Sequence, residues 1–202
     1  MAKSKDKRQV DLNIISEWVN PGERVLDLGC GRGVLLEYLK KKNNVYGIGI
    51  DIDFKKILSC LKRGVSAYQG DIKTLLEKFD DNSFDHVILS RTVDQLDEPD
   101  WILSKSLQVG KRVTVGFVNN GFWLNRYNAL FKGSRTINEV YSKPWYESLP
   151  NNSFSIKEFE LYCESKKITI RNRICYAGDW EKKQNIFCNL LSGYAIYDLS
   201  KT

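Results

Sequence analysis

Apolar positions in this chain follow two rhythms in turn. Leu12, Ile15, Trp18 and Val19 recur at helical spacing, and Pro21-Gly22 stops that helix. Arg24 to Leu28 then reads as a first strand, backed by a helix whose Val34, Leu35, Tyr38 and Leu39 share one face. The alternation repeats. Val45 to Ile50 is a second strand, Phe54 to Arg63 a helix ended by Gly64, and Val65 to Gln69 a third strand. A short helix carries Leu75, Leu76 and Phe79, and Asp80-Asp81-Asn82-Ser83 makes a turn. Phe84 to Ser90 is the fourth strand, Pro99 to Val109 a helix and Arg112 to Val118 the fifth strand. Strands alternating with helices predict an α/β fold, a parallel sheet covered on both faces and joined by right-handed crossovers.

The rhythm breaks after Phe117. Residues 119–152 hold Phe122, Trp123, Tyr127, Phe131, Tyr141, Trp145 and Tyr146 among polar turn formers, with no clear period. Three readings stay open for this aromatic insertion: a lid over an acceptor pocket, an exposed patch that docks a partner, or a cover that completes the core. Trp145 and Tyr146 are the anchors expected if it docks. Regularity resumes with a helix near Ser155 to Ser165, a strand from Ile168 to Cys175 and a surface loop from Gly178 to Asn189. A last strand, Tyr194 to Leu199, is expected to run antiparallel to its neighbours. At 202 residues the simplest partition is one domain over 1–202, with a basic flexible N-terminus at 1–9 and the insertion at 119–152.

Composition narrows the function classes. The net charge of +6 permits nucleic-acid binding, but the basic residues fall in the first eight positions, in Lys40-Lys41-Lys42 and in isolated pairs. No basic stripe interleaved with aromatics accompanies them, so no nucleic-acid partner is expected. No apolar run approaches bilayer length and the charged start lacks the apolar core of a signal peptide. A cytoplasmic protein with no membrane partner is the expectation. Five scattered cysteines without a C-x-x-C pair, and the single His86, give no metal-ligand spacing. Buried, reduced thiols are expected.

The candidate chemistry lies at Val25-Leu26-Asp27-Leu28-Gly29-Cys30-Gly31-Arg32-Gly33. A strand ends in an acid, three alternating glycines follow, and a helix begins at once. Glycine turns let a backbone approach a ligand closely, and the helix start offers free N–H groups with a positive dipole end. A dinucleotide fingerprint from Gly29 would need a third glycine at 34, where Val34 stands. The pattern G-x-G-x-G after Asp27 instead resembles motif I of the class I S-adenosylmethionine-dependent methyltransferases, in which the loop holds the methionine part of the ligand. A plain tight turn is the alternative.

That resemblance implies a Rossmann-like sheet of seven mostly parallel strands and a set of site residues. Its second-strand motif resembles G-[IV]-[DE]-[IVL]-x, whose acid bridges the ribose hydroxyls. Laid over Gly47-Ile48-Gly49-Ile50-Asp51, it puts Gly49 in the acid's place, with Asp51 displaced by roughly 6–7 Å on the same face. Asp51 reaches the ribose if the strand end curls, with Asp53 a weaker substitute; alternatively Asp51 caps the helix near Phe54. Gly70-Asp71-Ile72 resembles the adenine contact, and Asp71 also suits a helix cap. Phe84-Asp85-His86-Val87 with Ser90 resembles the fourth-strand motif beside the methyl donor. The implied binding set is Asp27, Gly29, Cys30, Gly31, Asp51, Asp71, Ile72 and Ser90, and the implied ligand is S-adenosylmethionine or S-adenosylhomocysteine.

A narrower resemblance covers roughly residues 11–175. Asp11-Leu12, Ile15, Trp18 and Pro21 through Gly31 are similar to the opening of the methionine-biosynthesis protein MetW family. Arg63-Gly64-Val65, Gln69-Gly70-Asp71, Ser83-Phe84-Asp85, Val109-Gly110-Lys111-Arg112 and Pro144-Trp145-Tyr146 with Pro150-Asn151 fit it too. Gly49, Val118 and Ser153 depart from the family's acid, proline and histidine. The resemblance implies an accessory role beside a homoserine O-acyltransferase, with methyl transfer to a small acceptor as the alternative. No catalytic base stands out: Asp94, Tyr127, Tyr146 and Glu147 are candidates, and His86 reads as a packed strand residue.

Overall fold

The computed structural model describes residues 3–134, 145–147, 151–178, 180 and 182–202. Tyr141, Pro144 and Pro150 of the insertion, and the side chain of Trp145, lie outside the described residues. Helix α1 (Lys3–Trp18) leads into β1 (Arg24–Leu28), α2 (Val34–Asn43), β2 (Tyr46–Asp51), α3 (Phe54–Lys62) and β3 (Ser66–Gln69). Then follow α4 (Ile72–Leu76), β4 (Phe84–Ser90), α5 (Pro99–Val109) and β5 (Gly110–Val118). The chain closes with α6 (Trp123–Lys132), α7 (Ile156–Ser165), β6 (Ile168–Ala177), α8 (Cys188–Leu191) and β7 (Ser192–Lys201).

The strands form one sheet in the order β3-β2-β1-β4-β5-β7-β6. All pairings from β3 to β5 are parallel, and β7 runs antiparallel between β5 and β6. Strand pleating sorts the core into two layers. Val25 and Ile88 pack with Leu12, Ile15 and Leu35 of α1 and α2 on one face. Leu26, Val87 and Leu89 pack with Ile102, Leu107 and Phe159 of α5 and α7 on the other. The result is the seven-stranded, mostly parallel α/β architecture implied by the sequence.

Three elements differ from expectation. Helix α1 begins at Lys3, within the segment expected to be a flexible arm. Its first turns are Lys, Ser, Asp, Arg and Gln, which include good helix formers but carry no apolar period to announce them. Within the insertion, Trp123–Lys132 is a regular helix ended by Gly133 at φ 57°. The loop before the last strand contains the short α8, and all five cysteines are buried with free thiols.

Charges inside the sheet are paired. Asp198 on β7 is fully buried and accepts from Arg112 Nε at 3.2 Å and Nη2 at 2.7 Å, with Asn172 Nδ2 at 3.2 Å. His86 is fully buried in the amino half of β4, its Nε2 2.7 Å from Thr114 Oγ1 and its Nδ1 3.7 Å from Glu23 Oε2. It is a core residue set back from the sheet's carboxyl edge. Removing one partner of a buried pair strands the other charge. Asp198→Ala is expected to cost about 3–5 kcal/mol of stability in urea unfolding.

Candidate functional site

The site sits where β1 and β2 end. Gly29, Gly31 and Gly33 all adopt left-handed backbone, at φ 74°, 57° and 75°. The loop they form is stitched to the last residues of β2. Gly29 N and Cys30 N both donate to Ile50 O, at 2.8 and 2.9 Å, and Gly31 N donates to Asp51 Oδ2 at 2.9 Å. The glycines differ in their surroundings. A Cβ added at Gly29 would lie 2.5 Å from Thr92 Oγ1, and one at Gly33 would lie 2.9 Å from Cys60 Sγ. At Gly31 it would meet nothing within 4 Å, so the loop's open face is there.

Asp51 is 5% exposed and ends β2. Its Oδ1 accepts from Asp53 N at 2.9 Å, and Lys56 Nζ stands 3.4 Å from each carboxylate oxygen. The cap of α3 is Asp53, which accepts from Lys55 N at 2.8 Å, so Asp51 is not that cap. The overlay that put Gly49 in the acid's place meets a steric conflict. A Cβ on Gly49 would lie 2.5 Å from Cys30 Sγ, leaving no room for a carboxylate. Shifted by two residues, the motif reads Gly49-Ile50-Asp51-Ile52 without a mismatch, and the acid sits at the strand end.

The remaining expected residues fall on the same edge in different roles. Asp27 is buried on β1, opposite Gly49 and Ile88. Its charge, added to desolvation, raises the Cys30 thiol pKa, and burial likewise raises that of Cys60. The Cys30 sulfur points inward, 3.9 Å from Cys60 Sγ, so only its backbone faces the loop's exterior. Asp71 caps α4, accepting from Thr74 N at 2.9 Å, and Ile72 opens that helix while packing on the core. Ser90 ends β4, its carbonyl 3.3 Å from Thr92 Oγ1. The structure thus brings Gly29, Gly31 and Asp51 into one bonded group and sets Asp27, Asp71 and Ser90 at the ends of the flanking strands. The cleft of about 440 Å³ lined by Arg24, Lys40, Tyr46 and Ser66 lies on the opposite, amino edge. Its two cations already hold Asn82 O and Gly64 O.

The turn after β4 adds two features that local sequence did not reveal. Arg91, at φ 61°, clamps Asp11 of α1 at 2.7 Å and places its guanidinium 4.7 Å from the Trp180 ring. Asp94 stands out among the four candidate bases. Tyr127, Tyr146 and Glu147 are exposed, whereas Asp94 is 2% exposed and neither of its carboxylate oxygens has a side-chain hydrogen-bond partner among the described residues. Burial pushes its carboxyl up to about 6. Asn152 clamps the turn from outside, donating its N to Asp94 O at 2.7 Å and its Nδ2 to Leu96 O at 2.6 Å.

This carboxyl sets a pH dependence. Its folded pKa lies above the ordinary value near 3.8, so its contribution to stability is complete at low pH and lost as pH rises through about 6. Asp94→Asn removes the burdened charge. The variant is expected to exceed the parent by about 2–3 kcal/mol at pH 8, with the advantage shrinking toward pH 5 in urea titrations.

Comparison with known proteins supplies the family. A relative from Rhodopirellula baltica, the bifunctional methionine biosynthesis protein MetXA/MetW, is 30% identical over 118 residues, covering 54% of this chain and 19% of its own length. Phosphoethanolamine N-methyltransferase 1 of Arabidopsis thaliana is 36% identical over 77 residues, 36% of this chain and 16% of that protein. The chain therefore spans less than a fifth of the length of these curated relatives. The crystal structure of a SAM-dependent methyltransferase from Archaeoglobus fulgidus superposes with a TM-score of 0.70 at 18% identity, over 99% of this chain and 95% of that one. At that identity the likeness shows the fold. The profile of the methionine biosynthesis protein MetW matches residues 9–199, and the chain belongs to that family.

Proposed function

We propose that this protein binds S-adenosylmethionine or S-adenosylhomocysteine at the carboxyl edge of β1 and β2 and acts in methionine biosynthesis alongside a homoserine O-acyltransferase. The partnership rests on one observation: the Rhodopirellula baltica relative carries both names, MetXA and MetW, on a single chain. A cytoplasmic setting belongs with this reading.

The residues fit the ligand. Gly31 leaves open space beside a backbone N–H already directed at Asp51. Each Asp51 oxygen makes one backbone bond and retains a second lone pair, which suits a vicinal diol approaching from the open side. Lys56, half-exposed and 3.4 Å away, has room to swing outward. Asp27 supplies buried negative charge beneath the loop, toward the end expected to hold an ammonium group. When bound, the sulfonium would supply an activated methyl group.

A second reading, methyl transfer to a small acceptor, is favoured by Asp94. A buried carboxyl poised near pH 6 beside the end of β4 is suited to accept a proton from an acceptor hydroxyl or amine.

Asp51→Ala is expected to weaken S-adenosylmethionine binding by about 1.5–3 kcal/mol in calorimetric titration, the range for hydrogen bonds to a charged group. Gly31→Asn, a residue that tolerates the left-handed φ of 57° and meets no protein atom near its Cβ, should block binding in a folded protein; unchanged affinity in both variants would reduce the loop to a structural turn. Adding the protein to its cognate homoserine O-acyltransferase should raise that enzyme's activity, while the protein alone methylates small acceptors poorly. Equal acyltransferase activity with and without it, together with robust methylation of a defined metabolite, favours the second reading.

A further inference from the structure

Helix α6 has no buried residue. Trp123, Leu124, Tyr127, Leu130 and Phe131 are 41–77% exposed, spaced so that they share a face, and the Tyr127 and Phe131 rings meet at 4.9 Å. A ten-residue helix is marginal by itself in water, and its stability must come from covering its apolar face. Nothing among the described residues supplies that cover.

A second apolar group stands beside it. Ile186, Phe187, Leu190 and Leu191 are 37–74% exposed in and before α8. Phe187 caps α8 at φ 50°, a left-handed conformation that is strained for a bulky aromatic and holds its ring in solvent. Asn119 ties the two groups together. Its buried Nδ2 donates to Asn189 O at 3.0 Å and Ser192 O at 2.6 Å, while its Oδ1 accepts from Gly121 N at 2.9 Å. The nine side chains offer on the order of 1,000 Å² of surface, enough for one side of a standard-sized protein complex.

Charge selects the occupant. Helix α6 carries Arg126 and Lys132 and no acid. A two-fold contact with a second copy would set these cations against their own images. A different protein with an apolar centre and an acidic rim would complement them. Exposed apolar surface of this extent, rich in aromatic side chains, has the makeup of an interface. The bifunctional relative shows this family's chain linked to a second polypeptide unit.

We propose that the face formed by α6 and the α8 turn is the docking surface for the homoserine O-acyltransferase. The inference rests on the partnership proposed above. The test uses the full chain and the acyltransferase from the same genome, with Leu130→Glu/Phe131→Glu as the variant and Leu130→Gln as a milder one should the double change not fold. Affinity is measured by calorimetry, with S-adenosylmethionine titration and thermal melting as controls remote from the surface. The parent is expected to form a complex that the double variant weakens at least 100-fold, with ligand binding and melting unchanged. If the parent binds and the variants bind equally well, the pairing stands and this surface is refuted. If the parent does not bind the acyltransferase at all, the partnership itself fails. Self-association of the parent in sedimentation, or binding to phosphatidylglycerol vesicles, that the variant loses would assign the face to a second copy or to a membrane and overturn the proposal.

Discussion

Three backbone N–H groups, those of Gly29, Cys30 and Gly31, point at the last two residues of β2, and the candidate site depends on that convergence. Two of them share the Ile50 carbonyl, which would otherwise have no parallel strand to receive it beyond the end of β1. The third lands on a carboxylate. The loop can take this path only because its glycines tolerate left-handed dihedrals, and it stays open only at Gly31, where no neighbour closes in. Backbone geometry therefore fixes where Asp51 must stand, and Asp51 in turn holds the loop and the entry to α3.

Buried charge is distributed unevenly across the molecule. Asp198 and Asp11 each meet an arginine, and those pairs join elements far apart in sequence: β7 to β5, and α1 to the end of β4. Their value is positional, since a buried pair need not add net stability over apolar packing. Asp94 differs from both. Among the described residues its carboxylate meets no cation, and desolvation outweighs what its own backbone supplies, an arrangement that destabilises the fold.

Much of the sheet was legible in the chain because period-two and period-3.6 stretches alternate cleanly from Leu12 to Val118. The reversal at the last strand was also legible, since a helix and two late strands follow the parallel series. The register of the candidate site acid was open to misreading. Gly47 and Gly49 both precede an isoleucine in β2, so the motif can be laid over the string from either; only the overlay from Gly49 brings an acid, Asp51, to its third place, and the Cys30 sulfur packed against Gly49 leaves no room for one there. Helix α6 escaped because Asn125 and Asn128 read as turn formers and because its apolar face has no core to match. Asp94 was one acid among several, for burial depends on Val93, Asn152 and the end of β4 meeting in space.

The placement of β7 between β5 and β6 orders events during synthesis. Strand β6 leaves the ribosome before β7 exists, and β7 is its only hydrogen-bonded neighbour in the sheet. Until residues 192–201 emerge, β5 ends the growing sheet with an open edge, and β6 has only the short bridge of Tyr176 to Lys183 at its end. The parallel half, with the glycine loop and Asp51, can assemble earlier from contacts close in sequence. Nascent chains stalled before β7 should therefore expose two unpaired strand edges, making this the stage at which chaperones would matter most.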